Sequence, residues 1–267
     1  MKGKSALGME FFEKGKVHDC PIYDMHGHMG TYSFIYLPYP EPEGMVKRMD
    51  RSGVEVLAFC HHSALSSPDF SNMKSMDAVR KFPERLKAYY GINPHYPEIL
   101  KKDLETIEQN KDVFIGMKFH SANGLPYTHV NYQPALEYAD ERELLVLLHT
   151  WGSDEKCGEK IVKELAHRYK RAKIIMGHSC HGKWDEAAEL AKDFQNVYLE
   201  LCAVLDERLD ILEKFVNTAG SEKILFGTDF PWFNHHNYIG TVIASDITDE
   251  DRRNIFYRNA KKLLAAV

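Results

Sequence analysis

Eight short apolar segments, seven of them closing on a cluster that contains glycine, histidine, aspartate or proline, recur along the chain at a nearly constant interval. They begin at Ile22 ("IYDMH"), Val54 ("VEVLAFCHH"), Leu86 ("LKAYYGINP"), Val113 ("VFIGMKFH"), Leu144 ("LLVLLHT"), Lys173 ("KIIMGHS"), Val197 ("VYLELC") and Lys223 ("KILFGTDFP"). Short runs rich in β-branched and aromatic residues read as buried strands. Each gap has room for one helix: "KIVKELAHRYKR" from Lys160 and "DEAAELAKDF" from Asp185 carry apolar residues at helical intervals. Strand and helix alternating eight times predict an α/β fold, the (β/α)8 TIM barrel. An open doubly wound sheet fits less well, because its first turn is glycine-rich, whereas here that turn reads "HGHMG". The last segment, "DEDRRNIFYRNAKKLL", reads as a closing helix that turns Ile255, Phe256, Ala260, Leu263 and Leu264 toward the barrel. No linker, repeat or low-complexity tract interrupts the pattern, so residues 1–267 are expected to form a single barrel domain.

Composition narrows the partners. A net charge of −5, with no Lys/Arg-dense face or basic tail, argues against nucleic acid. Cys20, Cys60, Cys157, Cys180 and Cys202 are an odd, scattered set without a C-x-x-C spacing, which reads as reduced thiols in a cytoplasm. The first residues lack the unbroken apolar segment of a signal peptide, and no run approaches the ~18 apolar residues of a membrane span. A soluble, cytoplasmic protein without a membrane partner is expected.

The ends of the runs carry the chemistry. In a strand, residues i and i+2 point to the same side, so His26 and His28 would aim two imidazoles at one point, as a metal site requires. Other runs end in His61 and His62, Lys118 and His120, His149, His178, and Asp229; Glu200 sits inside the seventh. Of the 14 histidines only His18 and His167 lie clearly away from a strand end or the loop after it. Barrels of this kind hold their active sites at the C-terminal ends of the strands. Glu200 is costly to bury unless paired, which places it in the site region, and Asp24 shares the strand parity of His26.

"YDMHGHMG", "GMKFH", "LLHTW", "MGHSCHG" and "ILFGTDFPW", in this order on successive strands, resemble the amidohydrolase superfamily. Within it the chain is similar to the amidohydrolase-2 branch, which includes aminocarboxymuconate-semialdehyde decarboxylase and γ-resorcylate decarboxylase. The resemblance implies metal ligation by His26, His28, His149 and Asp229, with His178 beside the metal working on substrate or bound water. Three imidazoles and one carboxylate suit Zn²⁺, or another divalent ion such as Mn²⁺. Other branches of the superfamily carbamylate a fourth-strand lysine and hold two ions. One ion is expected here, with two as the alternative should Lys118 be carbamylated. Under one ion, Lys118 is a cation for a substrate carboxylate and His120 a neighbouring donor.

Aromatics complete the expected site. The loop "TYSFIYLPYPEPEG", Trp151 and Trp232 would wall a small-molecule substrate, and the exposed aromatics of that loop would serve equally as a homodimer contact. In the loop after the second run, "HHSALSSPDF", His61, His62 and the small hydroxyl residues are further candidates to bind substrate. The first expectation is a metal-dependent hydrolase of a small amide, lactone or ester, using metal-activated water with His178 and Asp229 as acid and base. The alternative is non-oxidative decarboxylation of a small carboxylic acid on the same metal site. A non-catalytic metal-binding barrel is the reading from another class.

Overall fold

A computed structural model describes residues 5–266 apart from 34, 66, 67 and 209. Phe34 in the first loop, and Ser66 and Ser67 in the second, therefore lie outside the described residues. Eight parallel strands form one sheet in chain order: β1 (Tyr23–Met29), β2 (Val56–His61), β3 (Leu86–Gly91), β4 (Phe114–Phe119), β5 (Leu145–Trp151), β6 (Lys173–His181), β7 (Val197–Glu200) and β8 (Ile224–Leu225). Each strand starts within two residues of the start read from the sequence.

Helix α1 (Ala6–Lys14) precedes the sheet. Helices α2 (Pro42–Ser52), α3 (Pro68–Lys81), α4 (Leu100–Gln109), α5 (Gln133–Arg142), α6 (Glu159–Arg168), α7 (Trp184–Asp193) and α8 (Ile211–Ala219) link successive strands. Helix α9 (His235–Ala244), α10 (Asp249–Arg253) and α11 (Asn259–Leu264) follow β8. This is the (β/α)8 architecture. The closing segment is helical, though a π turn over Asn254–Arg258 divides it. Ile255, Phe256, Ala260 and Leu263 are buried, and Leu264 is half-buried against the barrel.

Strand residues are buried almost throughout, as expected of a parallel sheet covered on both faces. Leu57, Phe59, Met117 and Phe119 pack outward against helices, whereas Met25, Tyr89, Leu147 and Ile175 fill the interior. Three irregularities shift the simple alternation, one of them between His149 and Trp151 where β5 pairs with β6. In β1 the register slips between Asp24 and Gly27, so Met25 joins the interior while Asp24 turns to Thr228 and His235. In β3–β4 it slips after Ala88, beside Gly116. There a Cβ would lie 2.0 Å from the Leu145 carbonyl oxygen, so only glycine lets β4 and β5 approach.

The eighth run, read through Pro231, keeps ladder geometry only over Ile224–Leu225. Beyond it the chain closes the seam irregularly. Met25 N–H donates to the Phe226 carbonyl (2.9 Å), Asp229 N–H donates to the His26 carbonyl (2.7 Å), and Gly27 bridges Phe230. The seam thereby sets Asp229 beside the histidines of β1. All five cysteines are free and buried, and among the described residues no helix is long and apolar enough to cross a membrane.

Candidate active site

At the C-terminal mouth, His26, His28 and Asp229 each offer a ligand atom, and these atoms lie within 4.8 Å of one another. His28 Nε2 is 2.9 Å and His26 Nε2 3.4 Å from Asp229 Oδ1. The other nitrogen of each ring is engaged behind. His28 Nδ1 lies 3.2 Å from the Cys60 carbonyl oxygen, and His26 Nδ1 lies 3.1 Å from Glu200 Oε2. A carbonyl only accepts, so His28 carries a proton on Nδ1, while His26 Nδ1 pairs with Glu200, whose pKa burial raises; both rings point Nε2 toward Asp229.

Asp229 Oδ1 is buried and accepts no well-formed hydrogen bond. Burial pushes the His26 pKa well below the ordinary value, so this ring is neutral at neutral pH. Burial also opposes ionisation of Asp229, but the neighbouring His26 and His28 more than offset it and hold the carboxyl well below the usual range. Two ring nitrogens and a buried carboxylate oxygen thus converge on one point, beside the Lys118 ammonium. The donors fit a divalent ion.

Lys118 stands at the same floor, fully buried, with Nζ 2.9 Å from His26 Nε2. Burial lowers its pKa and Asp229 partly restores it. His149, expected as a further ligand, lies outside this three-residue group: its ring stacks between His120 (4.3 Å) and Trp151 (5.9 Å), and its Nδ1 faces His178 Nε2 at 3.1 Å. His120 Nδ1 accepts from Ala122 N–H, which leaves Nε2 as a donor.

His178 and Asp229 both sit in left-handed backbone, at φ 68° and 57°, and Ser179 and Cys180 continue that conformation after His178. Such non-glycine positions cost of order 1–3 kcal/mol each and persist only where neighbours hold them. Here the Ser179 hydroxyl donates to the Glu200 carbonyl (2.7 Å) and accepts from Glu200 N–H (2.9 Å), while Thr150 Oγ1 accepts from Cys180 N–H (2.8 Å). His178 N–H donates to Glu200 Oε2 (3.0 Å).

These groups surround a cavity of about 660 Å³ lined by His28, Tyr32, His62, Lys118, His120, His149, Trp151, His178, Asp229, Trp232 and Phe233, among others. Glu200 lies beneath it, holding His26 and the backbone of His178 and Cys202. Asp24 accepts from His26 N–H but otherwise serves Thr228 and His235; the register slip in β1 breaks the parity expected from strand alternation. Of the second-strand histidines, His62 stacks on His28 (4.6 Å) and accepts from Trp232 Nε1–H, while His61 faces a separate pocket beside Lys74. Sequence reasoning missed Cys202. Its Sγ lies 2.7 Å from His178 Nδ1, and its one signal is a place two residues after Glu200.

Known structures share this fold. The 2,6-dihydroxybenzoate decarboxylase from Rhizobium superposes with a TM-score of 0.74 at 16% identity over 92% of this chain and 99% of that one. Dihydroxybenzoic acid decarboxylase from Polaromonas sp. JS666, with bound manganese and the inhibitor 2-nitroresorcinol, gives 0.73 at 16% identity over 92% and 97%. The 5-carboxyvanillate decarboxylase from Sphingomonas paucimobilis gives 0.66 at 15% identity over 82% of each chain. No curated protein sequence matches. The expectation of a hydrolase using metal-activated water is corrected by these neighbours, all three of which are decarboxylases, and the metal named for one of them is manganese, not zinc. The amidohydrolase family profile matches residues 23–265, and the chain belongs to that family, in its amidohydrolase-2 branch.

Proposed function

We propose that this protein is a divalent-metal-dependent lyase that removes the carboxyl group of a small, ring-bearing carboxylic acid without oxidation. The observation that carries the reading is the cavity's polarity: Lys118 and five imidazoles face a single carboxylate, Asp229, between aromatic walls. Such a pocket favours a planar organic anion. The decarboxylase activity of chains sharing the fold supports the reaction class.

His26, His28 and Asp229 would hold the ion, with His149 the further candidate. A divalent ion, manganese or zinc, would supply the positive charge that anchors substrate oxygens and stabilises the electron pair left when the carbon–carbon bond breaks. Lys118 adds charge at the floor, and the Nε2–H of His120 a donor at the wall. Asp229, held ionised, suits ligation better than proton donation. His178, whose pKa burial lowers to about 4, is neutral at pH 7, so it would relay a proton, taking one up from water on one ring nitrogen as the other delivers one to the carbon that loses carbon dioxide. Tyr32, Trp151 and Trp232 would enclose the ring.

The test loads metal-free protein with Mn²⁺ or Zn²⁺ and offers hydroxylated aromatic acids in deuterated water. Release of carbon dioxide with one deuterium fixed on the product carbon is expected. Hydrolysis of an ester or lactone panel, with no carbon dioxide from any acid, would overturn the proposal.

A further inference from the structure

Behind the floor of the cavity lies a second convergence of ligand atoms. His26, His178, Glu200 and Cys202 are all buried, and their ligand atoms all lie within 4.8 Å of one another. Cys202 Sγ is 2.7 Å from His178 Nδ1 and 3.7 Å from His26 Nδ1, and His26 Nδ1 is 3.1 Å from Glu200 Oε2. Edges of about 3–4 Å are what a tetrahedral zinc site presents when its bonds are about 2.0–2.3 Å long. The S···N separation is shorter than that edge and needs a small opening.

The donor set is complete and oriented. Glu200 Oε1 accepts from Cys202 N–H (2.7 Å) and Oε2 from His178 N–H (3.0 Å), which fixes the carboxylate and leaves lone pairs directed at the cluster. The hydroxyl of Ser179 pins the Glu200 backbone on both sides. One thiolate, two imidazoles and one carboxylate make a closed, four-ligand site, and the sulfur selects a thiophilic ion over Mn²⁺ or Mg²⁺.

We infer that His26, His178, Glu200 and Cys202 form an inner site for a thiophilic divalent cation such as Zn²⁺, separate from the outer set of His26, His28 and Asp229. Binding replaces the Cys202 thiol proton, which leaves to solvent, with a metal–sulfur bond. His26 serves the two sites through opposite nitrogens. An ion on Nδ1 moves the ring proton to Nε2 and removes the lone pair that faces Asp229, so occupancy of the inner site disfavours occupancy of the outer one.

Co²⁺ is the probe, because thiolate ligation gives it a near-ultraviolet charge-transfer band that nitrogen and oxygen donors do not. Metal-free protein titrated with up to two equivalents of Co²⁺ is expected to develop that band and to lose it on adding Zn²⁺. His28→Ala, which disables only the outer set, should keep the band. Cys202→Ser should abolish it while retaining Co²⁺ on the outer residues. Absence of the band in the wild-type protein at saturation, or its survival in folded Cys202→Ser, overturns the inference. Should Cys202→Ser fail to fold, X-ray absorption on the zinc-loaded wild type decides: sulfur at about 2.3 Å supports the inner site, and a shell of nitrogen and oxygen alone refutes it. None of these readouts depends on turnover, so the inference stands or falls independently of the proposed decarboxylase activity.

Discussion

The orientation of each imidazole at the candidate metal site follows from what touches its far nitrogen. His28 borrows a backbone carbonyl from β2 and His26 a carboxylate from β7, so the two rings turn the same atom, Nε2, toward Asp229. Glu200→Gln replaces the carboxyl that holds the His26 ring with an amide. The affinity of the outer site for Mn²⁺ should therefore fall about 10–100-fold, measured by competition with a chelator. An unchanged affinity would show that Glu200 does not orient His26. That His26, His28 and Asp229 would meet at one point was legible in the sequence, because strand ends mark the mouth of a barrel and residue type marks a potential donor. Their orientation was not, because it depends on carbonyls and carboxylates from β2 and β7, whose register no local pattern encodes.

At the scale of elements, the end of β6 is the most constrained segment near the site. Three consecutive left-handed residues carry His178 forward, and one hydroxyl, that of Ser179, exchanges hydrogen bonds with both backbone groups of Glu200. Ser179→Ala leaves those groups unpaired in a buried position, and a loss of about 1–3 kcal/mol in urea denaturation is expected. The same variant should lower kcat more than KM, since His178 loses its support while the cavity walls remain. Equal stability of variant and wild type would show that Thr150 and the strand ladder suffice. The starts of the eight strands were readable to within two residues, whereas the eighth run, read through Pro231, keeps ladder geometry only over Ile224–Leu225. What periodicity could not foresee were the register slips in β1, β3–β4 and β5–β6, the first of which turns Asp24 away from its expected face.

For the whole molecule, the density of buried imidazoles sets the response to acid. Burial, the main cause in each, pushes His61 and His178 down to about 4 and His62 and His120 down to about 3. Their unfolded counterparts titrate near ~6.5. The unfolded chain therefore takes up protons first as pH falls, so stability is full above about 6.5 and is lost progressively toward about 3. Metal-free protein should show a lower urea midpoint at pH 5 than at pH 7; equal midpoints would mean that these rings are protonated without penalty in the fold. A bound ion acts in the opposite direction. At 100 times its dissociation constant it should add about 2.7 kcal/mol, seen as a rise in Tm that a chelator reverses. The barrel, its helices and its rim of polar residues follow from one repeated pattern, whereas the distinction between hydrolysis and decarboxylation rests on loop side chains around the cavity, which no periodic signal reports.

The indole of Trp232 lines the cavity and donates to His62, which in turn stacks on His28, and Trp151 lies flat against His181 at the opposite wall. Two of the three tryptophans in the chain thus look into the same chamber. Intrinsic fluorescence becomes a built-in gauge of occupancy: an aromatic acid entering between the indoles should quench emission and shift it, without any label or turnover. Trp232→Phe should weaken that signal and leave the part reported by Trp151. A titration curve read this way would rank candidate ligands before any product is known.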